Sequence, residues 1–160
     1  MKPVERWLHL ESYKMGASAG AKGSSAARHA GILYHRKFYK TLDLQHQLNL
    51  AQQGLKLLIE PWFESRPTRQ RRSPDAVLLG DAFALVIEVK LNWRDGRDEK
   101  LLDEYLPIVG SCFGVPPRPL MVCGSIVGLT HKPLLSISQL LDAALWQPGD
   151  PTPTLLWTGK

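Results

Sequence analysis

Asp75, Glu88 and Lys90 are the residues of this chain whose types and spacing could do chemistry. They lie in Ser73-Pro74-Asp75-Ala-Val-Leu-Leu-Gly80-Asp-Ala-Phe-Ala-Leu-Val-Ile-Glu88-Val89-Lys90, two apolar runs joined at Gly80-Asp81. Charged side chains are rarely buried unless they are paired or bind a metal. Two acids at the end of an apolar sheet suit magnesium, a hard ion that takes one or two carboxylates and keeps several waters. Such an ion polarises a phosphate, activates a water and steadies a leaving oxygen. A lysine beside it orients the nucleophile or offsets charge developing at phosphorus.

Strand parity says which of these groups can meet. Side chains alternate faces, so Glu88 and Lys90 share one. A two-residue turn at Gly80-Asp81 sets Asp75 opposite Val86 and diagonal to Glu88 on the same face. A four-residue loop, 80–83, sets Asp75 directly opposite Glu88. An odd-length connection or a bulge sends the two acids to opposite faces. The competing reading is an edge hairpin whose Glu88 and Lys90 form a solvated ion pair, worth little. The unbroken Leu85-Val86-Ile87 run argues instead for a strand covered on both faces.

Pro74-Asp75, a short run, then Glu88-x-Lys90 resembles the signature of the PD-(D/E)XK (restriction-endonuclease-like) nuclease superfamily. The resemblance implies that Asp75 and Glu88 are catalytic acids holding Mg²⁺, with Mn²⁺ as a substitute. It further implies that the Val89 carbonyl is a third ligand and that Lys90 assists the attacking water. The implied activity is metal-dependent hydrolysis of DNA phosphodiester bonds. Many family members add an acid from the first core helix. Here Asp43, Glu60 and Glu64 are the candidates, and Lys100 is the nearest match to a second basic residue on the following helix.

The elements around the motif fit that frame. Residues 27–40 read as a basic, aromatic helix with His29, Arg36, Lys37 and Lys40 among Leu33, Tyr34, Phe38 and Tyr39. Arg36 and Lys37 on it are candidate phosphate contacts, with the aromatics packing on nucleic acid; an amphipathic helix with a solvated cationic face is the equal alternative. Thr41 reads as an N-cap, and Leu44, Leu48, Ala51 and Leu55 as one helix face. Gly54 suits the position just past that helix's end. Strands are expected at 55–60, on both sides of Gly80-Asp81, and at 120–127. Helices are expected at 99–109, with Leu101, Leu102, Tyr105 and Leu106 inward, and at 137–146, capped by Ser136. Pro116-Pro117-Arg118-Pro119 is expected to break the chain.

From Thr41 the order is helix, three strands, helix, strand, helix. This α/β (α+β) class, with an α-β-β-β-α-β core and a mixed central sheet flanked by helices, is what the resemblance implies for roughly 41–128. The expected division is a basic N-terminal arm and helix (1–40), a nuclease-like domain (41–147) and a tail (148–160) with a short strand at 155–157. Met15 to Ala26 is rich in small residues and packs no core alone. Trp7, Leu8, Leu10 and Tyr13 form a docking segment ahead of it, which suggests an anchor to a phage-like protein assembly or a homo-oligomer.

Charge suits a nucleic-acid partner, although a basic surface binds acidic protein surfaces as well. Residues 1–74 hold 13 Lys/Arg against 5 Asp/Glu, and residues 75–160 hold 7 against 10. The basic half leads toward an acidic centre, as expected of a protein that grips phosphates around a metal. Arg66, Arg69, Arg71 and Arg72 run straight into Pro74-Asp75 and are placed to hold the backbone beside the scissile phosphate.

At 160 residues the chain reads as one domain. No apolar run reaches membrane-span length, and the N-terminus lacks a secretory h-region. The expected location is the cytoplasm, or a virion assembled there. Cys112 and Cys123 read as buried thiols, and no histidine stands at zinc-site spacing. Two rival functions remain at this level. One is a non-catalytic assembly module docking through the arm; the other is an RNA-processing enzyme.

Overall fold

Two uninterrupted apolar runs form the centre of the sheet. β5 (Ala76–Leu79) and β6 (Ala84–Arg94) pair antiparallel, and every side chain from Ala84 to Ile87 is fully buried. A strand can be apolar at every position only if both its faces are covered. In the computed structural model, which describes residues 5–8, 25–43, 52–65, 67–94, 98–127 and 137–157, both faces are covered.

The main sheet is five-stranded and mixed. Its order is β2 (Lys56–Ile59), β5, β6, β7 (Pro117–Val127) and β8 (Thr154–Leu156). The first three are antiparallel neighbours, and the last three are parallel. One face is covered by helix α1 (Ser25–Asp43) and a 3-10 helix (Ile137–Leu145). Tyr34, Phe38, Tyr39, Leu42, Leu140 and Ala143 pack there on Leu78, Leu85, Ile87, Val89 and Val122. The other face is covered by a π-helical turn (Leu101–Tyr105) running into α2 (Leu106–Phe113). Leu101, Tyr105, Ile108 and Val109 pack on Val77, Val86 and Met121. A second, antiparallel sheet orders β1 (Glu5–Leu8), β3 (Trp62–Ser65) and β4 (Arg71–Arg72). Its Phe63 joins the α2 side of the core.

Several expectations change. The helix over 27–40 continues past Thr41, whose Oγ1 donates to the Lys37 carbonyl (2.9 Å), so Thr41 lies in the last turns of α1 and is no N-cap. Of the helix expected after Thr41, residues 44–51 lie outside the described residues, as does the Ser136 cap. Gly54 takes φ +71° in the turn leading to β2. The aromatics of α1 are core residues, with Tyr34, Phe38 and Tyr39 buried, which removes them from any stacking on nucleic acid.

The proline cluster does not break the chain. β7 begins at Pro117, and Pro119 lies within it. Met121 N–H donates to the Pro153 carbonyl on the β8 side (2.9 Å). Pro117 and Pro119 share Met121's parity and precede the first β8 rung, so their missing N–H groups leave no ladder bond unmade. The expected strand in 155–157 is present as β8, and Trp157 is buried against Tyr34 and Phe38. The arm's Trp7 and Leu8 lie in β1, paired with Phe63 and Trp62; Leu10 and Tyr13 lie outside the described residues.

Candidate functional site

The site forms where the antiparallel ladder stops. β5 begins at Ala76 and β2 ends at Ile59, while β6 and β7 run on together as far as Arg94 and Val127. The notch so left is lined by Asp75, Glu88, Val89 and Lys90.

The connection between β5 and β6 is the four-residue one. Leu79 pairs with Ala84, and Gly80 N–H donates to the Phe83 carbonyl (2.9 Å). Carrying that register back one place sets Asp75 opposite Glu88. Asp75 N–H donates to Glu88 Oε1 (3.3 Å), and Val89 N–H donates to Asp75 Oδ2 (2.7 Å). One place further, Val89 faces Pro74. Proline has no N–H, so that strand offers the Val89 carbonyl no ladder donor. The Pro-Asp pair thus ends the ladder and releases a main-chain oxygen beside two carboxylates.

Glu88 and Lys90 share the α2 face, with Lys90 Nζ 4.0 Å from Glu88 Oε2. The Lys90 side chain is 55% exposed and can reach a ligand in solvent, whereas Glu88 is mostly covered. Burial pushes the Glu88 carboxyl up to about 8, and the Asp75 charge adds to the rise; Lys90, the Asp75 N–H and His35 oppose it. Tyr105 stands near both acids. Its hydroxyl is raised by burial and then by the charges of Glu88 and Asp75.

α1 closes the other side. His35 Nδ1 donates to the Gly31 carbonyl (2.7 Å), which turns Nε2 toward Asp75 Oδ2 at 3.4 Å. Burial lowers the His35 pKa, but the hydrogen bond and charge of Asp75 outweigh it, and the net shift is upward. Tyr39, one turn on, has a buried hydroxyl without a well-formed hydrogen bond. Its pKa is raised by burial, then by Asp75, Glu60 and Glu88. His35 and Tyr39 were missed as site residues. Their signal was the i, i+4, i+7 stripe His35, Tyr39, Leu42 that faces the sheet.

Of the three candidates for a further acid, Glu60 stands at the site: its N–H donates to the Asp75 carbonyl (2.9 Å). Glu64 lies in β3, 4% exposed, paired with Arg71 (3.3 Å) and Arg69 (3.7 Å). The Asp43 side chain is outside the described residues, as is Arg66. Arg72 pairs with Glu104 (3.2 Å). The three described arginines of the basic loop are therefore each matched to a carboxylate. Arg36 and Lys37 are exposed on α1. Lys100 Nζ sits over the Tyr105 ring (5.5 Å).

Among the described residues no group of three or more His, Cys, Asp or Glu side chains is arranged to hold a metal. The donors that fit a cation are fewer and harder: two carboxylates and a main-chain carbonyl, a set suited to an ion that keeps most of its waters. Glu88 is the observation that favours the fit. A carboxyl raised first by burial and then by its neighbour's negative charge is an arrangement that a cation between the two relieves.

No family model matches the chain, and no curated protein or solved structure matches it significantly.

Proposed function

We propose that this chain is a metal-dependent endonuclease that hydrolyses DNA phosphodiester bonds, on a restriction-endonuclease-like core. The observation that carries the reading is Asp75 directly opposite Glu88, with Lys90 beside Glu88 on the same face. The element order supports it: a helix, the antiparallel trio β2, β5 and β6, the helix α2, then the parallel strand β7.

Asp75, Glu88 and the Val89 carbonyl would hold Mg²⁺ or Mn²⁺, which when bound polarises the phosphate and lowers the pKa of water. The chain's own residues set the stage for that chemistry. Asp75 is held on Oδ2 by Val89 N–H and faces His35, so its orientation is set before any ligand arrives. Lys90 offers an ammonium that donates to the attacking water or to a phosphate oxygen. The exposed cations of α1 supply sequence-independent attraction for the backbone.

The test is cleavage of supercoiled plasmid and of linear single-stranded DNA in Mg²⁺, Mn²⁺ or EDTA, with wild type beside Asp75→Ala and Lys90→Ala. Metal-dependent cutting lost in both variants is the expected result. A folded wild type that cuts nothing across salt and both metals overturns the reading and leaves the assembly module in its place.

A further inference from the structure

Beside the notch lies a groove of about 660 Å³ between α1 and β6, lined by Ala30, Leu33, Tyr34, Arg36, Lys37, Lys40 and Leu91. Its floor is apolar. Its rim carries Arg36, Lys37 and Lys40, and among the described residues no carboxylate lines it. Leu33, at 49% exposure, is one of two large hydrophobic side chains left exposed among the described residues. Leu91 faces α1, away from Lys90, and the groove adjoins the site through His35, which stands on α1 between the lining residues Tyr34 and Arg36 and 3.4 Å from Asp75. The helical positions from 30 to 40 extend it over about 15 Å.

We infer that this groove binds an unpaired nucleic-acid strand adjoining the scissile phosphate, so that the substrate class is single-stranded or frayed nucleic acid. The inference rests on the nuclease reading for its location and on the groove's own chemistry for its ligand. The rim asks for negative charge at several points along α1. The floor, exposed Leu33 and half-buried Leu91, asks for apolar surface at the same depth. Duplex DNA offers only the first, because its base faces are stacked inside. A single strand offers both, a phosphate and an unstacked base face at every nucleotide. Tyr34 is buried beneath the floor and supports it without itself stacking on a base, fixed by its hydroxyl, which donates to the Trp157 carbonyl (2.7 Å), and by packing on the Trp157 ring. The floor is therefore preformed.

The experiment reads binding alone. Fluorescence anisotropy in EDTA compares a labelled oligothymidylate of about 12 nucleotides, its ribo counterpart and a duplex of equal length. Single strands are expected to bind about fivefold or more tightly than duplex, and the better of the two sugars names the substrate. Leu33→Ser changes no charge; it should weaken single-strand binding about fivefold and leave duplex binding unchanged. Leu33→Met, which restores apolar bulk, should retain it. Lys37→Ala with Lys40→Ala should weaken both ligands and flatten the single-strand salt dependence by about 0.7 per lost contact. Equal or tighter duplex binding overturns the proposal, as does a silent Leu33→Ser with an unchanged melting profile. Because no metal is present, these failures are distinct from a failure to cut.

Discussion

Asp75 and Glu88 face each other across the end of the β5–β6 ladder, tied by the Asp75 N–H to Glu88 Oε1 (3.3 Å), while Val89 N–H holds Asp75 Oδ2 (2.7 Å). Of the two acids, Glu88 is thus tied to the backbone of Asp75, and Asp75 to that of Val89. Their mutual repulsion is left for Lys90 and His35 to offset, or for a cation.

The burial of Glu88, with that repulsion added, has a pH signature. Glu88 is raised from about 4.5 to about 8 in the folded chain, chiefly by burial. Between those values the folded state holds a proton that the unfolded state has lost, so stability falls as pH rises. In EDTA, Glu88→Gln should raise the melting temperature at pH 8 to 9, by the equivalent of roughly 2–4 kcal/mol, and change little at pH 4. Added Mg²⁺ should narrow the gap by stabilising wild type alone. Thermal melts across pH check this; a variant no more stable at pH 9 refutes it.

His35 acts in the same direction from the other partner. Its pKa is raised, so the protonated ring stabilises the fold fully below its ordinary value near 6.5. That contribution is lost as pH climbs through the raised value. His35→Gln should therefore cost stability at pH 6 and much less at pH 9. Denaturant titrations at the two pH values measure the difference.

Lys90 and Asp75 should separate activity from stability. Lys90 is 55% exposed and 4.0 Å from its partner, a pair worth little to the fold. Lys90→Ala should leave the melting temperature nearly unchanged and reduce cleavage by about 10²-fold or more. Asp75→Ala should remove cutting and also cost about 1–3 kcal/mol, because it strips the acceptor from Val89 N–H. Paired melts and plasmid assays read both.

Glu64 holds two arginines of the basic loop. Glu64→Gln keeps its shape but removes the charge facing Arg71 and Arg69. Nonspecific DNA binding should strengthen and its salt dependence steepen, as cations now matched become available to phosphates. The second sheet should change little in stability, since Arg71 and Arg69 are more than half exposed and stay solvated when the Glu64 charge is removed. Filter binding at several salt concentrations, beside a melt, tests the two halves.

Gly110 sets helix propensity against packing. Alanine would gain up to about 1 kcal/mol in a helix. Yet a Cβ at Gly110 would stand 2.9 Å from the Pro117 ring, whose atoms are tied to the backbone of β7. The clash should dominate, and Gly110→Ala should destabilise the fold by roughly 1–3 kcal/mol. A melting temperature at or above wild type would show that β7 yields.

Much of the site was legible in the chain because strand geometry is local. Alternation put Glu88 and Lys90 on one face, and the unbroken Ala84 to Ile87 run required cover on both sides. The apolar stripe Leu101, Tyr105 and Leu106 announced a helix, although it opens as a π turn with Leu106 N–H on the Leu101 carbonyl, just ahead of Pro107. The end of α1 was misread, because Thr41 suits a cap and a helix interior alike when its hydroxyl can bond four residues back.

By itself the sequence determined the pattern: which runs are strands, which charged groups interrupt them, and that the acids share a face if the connecting loop is even. Only the tertiary structure chose four loop residues over two, and so set Asp75 opposite Glu88. Only packing brought His35 and Tyr39 to residues about forty positions away, and matched Arg71 and Arg72 to Glu64 and Glu104. The division has a physical cause. Periodicity is imposed by sterics between residues one to four apart, whereas these meetings depend on how whole faces bury against each other.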